Sequence, residues 1–239
     1  MSPAAWEPLE RHLDGFECIA VSLPGSSDGV GSHALVTMRT FAALADELLN
    51  ELDVDRAHVL GFSFGGMVGQ QLALDAPARV RKLVLVSTSC GLGAAPSNPA
   101  IWWNAMLGAA LPFCTEGLPQ WTPCRWWAVM RRELGAGYTN SLWLSGLAQQ
   151  MAAASLWSSL PWLSRLTHET LVITGTADAL VPAQNAWILA SSMPRAGLYH
   201  VWGGGHLCLL DRVAEVGPVI ADFLRALELT SVDEAVELH

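Results

Sequence analysis

Three side chains in this sequence could together carry out nucleophilic chemistry: Ser63, Asp178 and His206. Ser63 is the centre of Gly61-Phe62-Ser63-Phe64-Gly65, a match to G-x-S-x-G that is followed by Gly66. An apolar run that reads as a strand precedes it and a small-residue helix follows, which is the setting this motif needs. A serine on so tight a strand-to-helix turn has strained backbone angles, and bulky residues two positions to either side would collide. Glycine at 61 and 65 is expected to remove that collision. The hydroxyl then projects at a helix N-terminus, where the backbone dipole favours developing negative charge. The backbone N–H of Phe64 is the candidate donor to an oxyanion there. An ordinary glycine-rich turn would show the same five residues; the flanking strand and helix favour the sharp elbow.

A serine hydroxyl is a weak nucleophile until a base takes its proton. His206 fits that role, because Gly203-Gly204-Gly205 lets its loop approach closely just after a strand ending at Trp202. His58 and His200 fall within predicted strands, while His12, His33, His168 and His239 fall near element ends or in the tail. The third member must hold the imidazole in one tautomer and stabilise its charged form. Asp178 follows the strand Thr170 to Gly175 and so emerges at the same sheet edge. Aspartate is also a common helix cap. The rival position for an orienting acid, after the strand Lys82 to Ser87, holds Thr88-Ser89-Cys90 and no carboxylate. The chain order Ser, Asp, His is the one that accompanies G-x-S-x-G.

The elements that must position these groups alternate between strand and helix, which predicts an α/β fold with a mostly parallel sheet flanked by helices. Strands are expected at Phe16 to Ser22, Arg56 to Gly61, Lys82 to Ser87, Thr170 to Gly175 and Gly197 to Trp202. Apolar residues at three- and four-residue spacing predict a helix over Val36 to Leu52. Gly65 to Asp75 is a second helix, stopped at Ala76-Pro77, and Arg212 to Leu227 a closing one. The core thus divides into residues 1–91 and 167–229, with a tail over 230–239. Residues 92–166 interrupt the rhythm and hold eight of the 11 tryptophans, among them Trp102, Trp121, Trp157 and Trp162. This segment is expected to be a helical lid over the site, its tryptophans mainly packing it onto the core.

Composition bounds the partners. The net charge is −9 with only 13 basic residues, none clustered, which argues against a nucleic-acid partner. Five cysteines without a C-x-x-C pair make neither a zinc site nor a disulfide framework, and fit buried thiols in a reducing cytosol. Residues 1–11 have no basic-then-apolar pattern of a signal peptide, and Ile101 to Phe113 is too short to span a bilayer. A cytoplasmic enzyme without metal or cofactor is expected; the oligomeric state is open.

On these motifs the chain resembles the α/β-hydrolase superfamily from about Trp6 to Leu227. A narrower likeness is to intracellular poly(3-hydroxyalkanoate) depolymerases of the medium-chain type. It is carried by Leu60 to Gly66, by Leu83 to Thr88 with Gly91, and by Gly204-Gly205-His206-Leu207 with Leu209-Leu210. The resemblance implies hydrolysis of a small apolar ester or polyester through an acyl-serine intermediate. Thioester or carbon–carbon hydrolysis, acyl transfer, or a non-catalytic binding role on the same scaffold are the alternatives. Two departures stand out. Ser22 occupies a position where the superfamily usually has an acid before Pro-Gly. The usual N-terminal strands, and the turn after them that gives a second oxyanion N–H, have no counterpart, since Met1 to Trp6 reads as the start of the helix that follows that turn. A shortened chain or a rebuilt oxyanion site is the expectation.

Overall fold

A computed structural model describes residues 3–23, 36–97 and 141–227. Four strands form one sheet: β1 (Ala57–Phe62), β2 (Val80–Val86), β3 (Glu169–Gly175) and β4 (Ala196–Val201). They pair in sequence order and every pair is parallel. Five helices of eight residues or more accompany them among the described residues. These are α1 (Met38–Glu51), α2 (Phe64–Asp75), α3 (Ser141–Ser155), α4 (Gln184–Ser192) and α5 (Val213–Arg225).

The sheet is apolar on both faces at its centre because β2 and β3 carry runs of Val, Leu and Ile, as a parallel sheet covered on each side requires. Successive side chains alternate between two core layers. Val84, Val86, Leu171 and Ile173 join Leu9, Leu13, Val216 and Ile220 on one side. Leu83, Leu85 and Val172 join Leu72, Leu163 and Leu189 on the other. A third cluster, Met38, Phe41, Val68, Ala153 and Trp157, packs α1 and α2 against the end of α3.

Local chemistry sets the helix limits. Thr37 caps α1 by accepting from the Thr40 N–H at 3.2 Å, while the Thr40 hydroxyl accepts from the Thr37 N–H at 3.3 Å. α2 ends before Pro77, which has no N–H to continue it. α4, which the apolar spacing had not marked, fills the crossover between β3 and β4.

One predicted strand is absent. Phe16 to Ser22 carries no sheet hydrogen bonding, and among the described residues no strand precedes Ala57. β1 is laddered to β2 alone. A strand needs a neighbour for its N–H and C=O groups, and none of the four strands is laddered to 16–22. The N-terminal segment instead forms a 3₁₀ turn at Pro3–Trp6 and a short helix at Glu7–Glu10. Of the predicted insertion, residues 98–140 and most of its tryptophans lie outside the described residues, as does the tail from 228.

The ends of that insertion are fastened to the core. Gly91 and Ser158 form an antiparallel bridge, with the Leu92 N–H donating to the Trp157 carbonyl at 2.8 Å. The buried Gln71 accepts from the Trp157 indole at 2.7 Å, and the buried Gln70 accepts from the Ser159 hydroxyl at 2.6 Å. Both glutamines are on α2, so residues 157–159 are tied to the helix that starts at Ser63.

Candidate active site

Ser63 joins β1 to α2 at the carboxyl ends of the parallel strands. Its backbone has φ 52° and ψ −119°, a region that L residues rarely occupy and that costs roughly 1–3 kcal/mol. Three hydrogen bonds hold it there. The Ser63 N–H donates to the Val86 carbonyl at 2.9 Å, and its own carbonyl accepts from the Gly66 N–H at 3.0 Å and from the Thr88 hydroxyl at 2.6 Å.

The turn is tight where the motif demands it, but not at both expected glycines. A Cβ at Gly61 would lie 2.5 Å from the Gly65 carbonyl oxygen. A Cβ at Gly65 would meet nothing within 4 Å. The second close approach is at Gly66, where a Cβ would lie 2.6 Å from the Thr88 side chain. The collision expected at residue 65 is therefore found one position later, because the helix turns Gly66 and not Gly65 towards Thr88, just past β2.

His206 and Asp178 come from the loops after β4 and β3. Backbone bonds stitch those loops together: Thr176 N–H to the Val201 carbonyl at 3.0 Å and Ala177 N–H to the Gly204 carbonyl at 2.9 Å. His206 Nδ1 lies 2.9 Å from Asp178 Oδ2, and His206 Nε2 lies 3.1 Å from Ser63 Oγ. His206 and Asp178 are buried, the Asp178 side chain completely. The other carboxylate oxygen, Oδ1, accepts from the Leu180 and Val181 N–H groups at 2.9 and 2.8 Å. A carboxylate only accepts, so the Nδ1 proton faces Asp178 and the Nε2 lone pair faces the serine hydroxyl. The Phe62 ring packs on the imidazole, centroids 5.1 Å apart.

The three residues singled out in the sequence are thus brought into one hydrogen-bonded row. In this arrangement an imidazole is oriented by a buried carboxylate and can take a proton from an alcohol at the mouth of a helix. Phe64 is the first residue of α2, so its N–H is among those that the helix itself leaves unsatisfied. Three residues that support the row were not marked by the sequence. Thr88 holds the Ser63 carbonyl. Gln70 is fully buried and donates to the Gly66 and Ser89 carbonyls, both at 3.1 Å. Ser87 has φ 47° at the end of β2 and sets its hydroxyl 3.6 Å from the Cys208 thiol. A threonine or glutamine beside a glycine-rich turn has no pattern of its own; the one available signal is its place in chain, directly after a buried strand or one turn into the helix.

Burial is the main cause that raises the Cys208 and Cys90 thiols above their ordinary range. Among the described residues, no helix is long and apolar enough to cross a membrane.

Comparison with known proteins agrees with this architecture. The model of the α/β-hydrolase fold family matches residues 1–123. A poly(3-hydroxyalkanoate) depolymerase of Ectopseudomonas oleovorans is 32% identical over 225 residues, covering 91% of this chain and 78% of its own. A 2-hydroxymuconate semialdehyde hydrolase of Pseudomonas sp. strain CF600 is 28% identical over 220 residues, covering 77% of this chain and 68% of its own. The crystal structure of a hydrolase from Pseudomonas aeruginosa PA01 superposes with a TM-score of 0.69 at 28% identity, covering 86% of this chain and 78% of that one. With a parallel sheet flanked by helices, and relatives that are hydrolases of differing substrates, the chain belongs to the α/β-hydrolase family.

Proposed function

We propose that this chain is a serine hydrolase that cleaves carboxylic esters through an acyl intermediate on Ser63. The observation that carries the reading is the unbroken row of hydrogen bonds from Asp178 through His206 to Ser63. Ser63 Oγ attacks the ester carbonyl carbon while its proton passes to His206 Nε2. Asp178 stabilises the imidazolium so formed, and the Phe64 N–H donates to the carbonyl oxygen as it becomes an alkoxide. His206 then returns the proton to the departing alcohol oxygen. Water, deprotonated by the same imidazole, opens the acyl-serine and restores the hydroxyl.

Within this class, an apolar polyester of the poly(3-hydroxyalkanoate) kind is the preferred substrate. The likeness to the Ectopseudomonas oleovorans depolymerase supports it, as does the concentration of tryptophan in residues 92–166, proposed to form a lid. The likeness to a 2-hydroxymuconate semialdehyde hydrolase favours a second reading, carbon–carbon hydrolysis by the same three residues.

A fluorophosphonate probe tests the first step. The expected result is one adduct at Ser63, lost in Ser63→Ala; a binding-only protein gives none. An ester series tests the substrate. Medium-chain nitrophenyl esters are expected to turn over faster than the acetate, and a preference for acetate, or for a vinylogous 1,5-diketone over every ester, counts against the polyester.

A further inference from the structure

Ser63 contributes more to the site than its side chain, because the peptide unit that joins it to Phe64 has two ends. One end is the Phe64 N–H, the oxyanion donor in the reading above. The other is the Ser63 carbonyl, and in a planar trans peptide the two point in opposite directions. Whatever fixes and polarises that carbonyl therefore aims and strengthens the N–H.

The carbonyl is held unusually firmly. It accepts the Thr88 hydroxyl at 2.6 Å as well as the Gly66 N–H at 3.0 Å. Thr88 is buried. Its side chain fills the space over Gly66, where a Cβ would lie 2.6 Å from the threonine Cβ and Cγ2. The fully buried Gln70 carboxamide bridges the Gly66 and Ser89 carbonyls, which locks the segment bearing Thr88 onto the first turn of α2. Thr88 follows β2, the strand paired with the one that delivers Ser63.

We propose that Thr88 is a positioning residue for the oxyanion site. Its hydroxyl donates to the Ser63 carbonyl, orients the Ser63–Phe64 peptide and makes the Phe64 N–H a better donor through hydrogen-bond cooperativity. The inference rests on the serine-hydrolase reading.

The test compares wild type with Thr88→Val, which keeps the shape and removes the hydroxyl, and with Thr88→Ser, which keeps the hydroxyl. Three quantities are read: kcat and KM on a nitrophenyl ester, the rate of fluorophosphonate labelling at Ser63, and the affinity for an alkylboronic acid that mimics the tetrahedral adduct. Thr88→Val is expected to lower kcat and the labelling rate by about 3- to 10-fold, the weight of one neutral hydrogen bond, with KM little changed. Boronate affinity falls by the same factor, and Thr88→Ser stays near wild type. A purely structural role would instead move the unfolding midpoint without this parallel loss. If Thr88→Val does not fold, Thr88→Ala against Thr88→Ser isolates the hydroxyl, since neither has the methyl group. Wild-type rates in Thr88→Val, or equal losses in Thr88→Ser, overturn the role of Thr88 while Ser63 labelling leaves the parent reading intact. No adduct at Ser63 in wild type overturns both.

Discussion

At Ser63 the chain accepts a backbone conformation that costs free energy, and neighbouring residues supply the compensation. Gly61 lets the strand end against the first turn of α2, and Gly66 lets that turn lie against Thr88. The difference among the three glycines can be measured. Gly61→Ala drives a methyl into a backbone oxygen that cannot move without breaking the turn, and Gly66→Ala drives one into a buried threonine. Each is expected to cost about 1–3 kcal/mol in urea unfolding and to slow labelling at Ser63. Gly65→Ala meets open space and relieves helix entropy, so its stability is expected to equal or slightly exceed wild type. A Gly65→Ala loss as large as that of Gly61→Ala would mean that the turn is tighter at 65 than the geometry here allows. The positions of Ser63, Asp178 and His206 were legible in the sequence because each directly follows an apolar run that becomes a parallel strand. Thr88 was legible only as the absence of an acid. What it does depends on a contact with a carbonyl 25 residues back along the chain, which no local pattern encodes.

Among the elements, β2 and β3 were readable from runs of Val, Leu and Ile and β1 and β4 from shorter apolar stretches, and their ends differ from expectation by at most two residues. Phe16 to Ser22 has the same local character but no ladder, since strand formation depends on a neighbour as much as on propensity. The converse case is Lys82, a cation inside a buried strand. Its ammonium donates to the Phe223 and Ala226 carbonyls at 2.8 and 2.7 Å and pairs with Glu169 at 3.1 Å. It thus satisfies the last carbonyls of α5, at the sheet end opposite Ser63, and complements the negative pole of that helix. Lys82→Met fills similar volume but strands two carbonyls and removes a cation from Glu169, which also pairs with Arg195 at 2.7 Å. A loss of about 3 kcal/mol or more is expected in urea unfolding. The folded fraction should still label at Ser63 at the wild-type rate, because Lys82 and the last carbonyls of α5 lie at the sheet end opposite the elbow. A labelling defect in folded Lys82→Met would place Lys82 in the functional machinery.

The molecule as a whole is two apolar layers sharing one sheet, and that sharing predicts how it comes apart. Adjacent residues of β2 serve different layers, Leu83 and Leu85 on one side and Val84 and Val86 on the other, and β3 does the same. Neither layer can lose its strands while the other keeps them, so opening should be all-or-none across the sheet. Nature has left a probe on each face. Cys208 is buried in the layer with α5, and Cys90 in the layer with α4; burial raises both thiols, which lowers their thiolate fraction at any pH below that range. Cys18, by contrast, is exposed. Iodoacetamide labelling followed peptide by peptide should modify Cys18 in the native protein, while Cys90 and Cys208 react only through unfolding. In rising urea their protection should fall together, with one slope against denaturant and one extrapolated free energy. The Trp157 indole and the Ser159 hydroxyl donate to Gln71 and Gln70, and the Ser159 N–H donates to the Cys90 carbonyl, so if segment 157–159 can detach by itself, Cys90 will label first and with the shallower slope. Coincident curves would instead mean that segment 157–159 is part of the same cooperative unit as the strands that carry Ser63, Asp178 and His206.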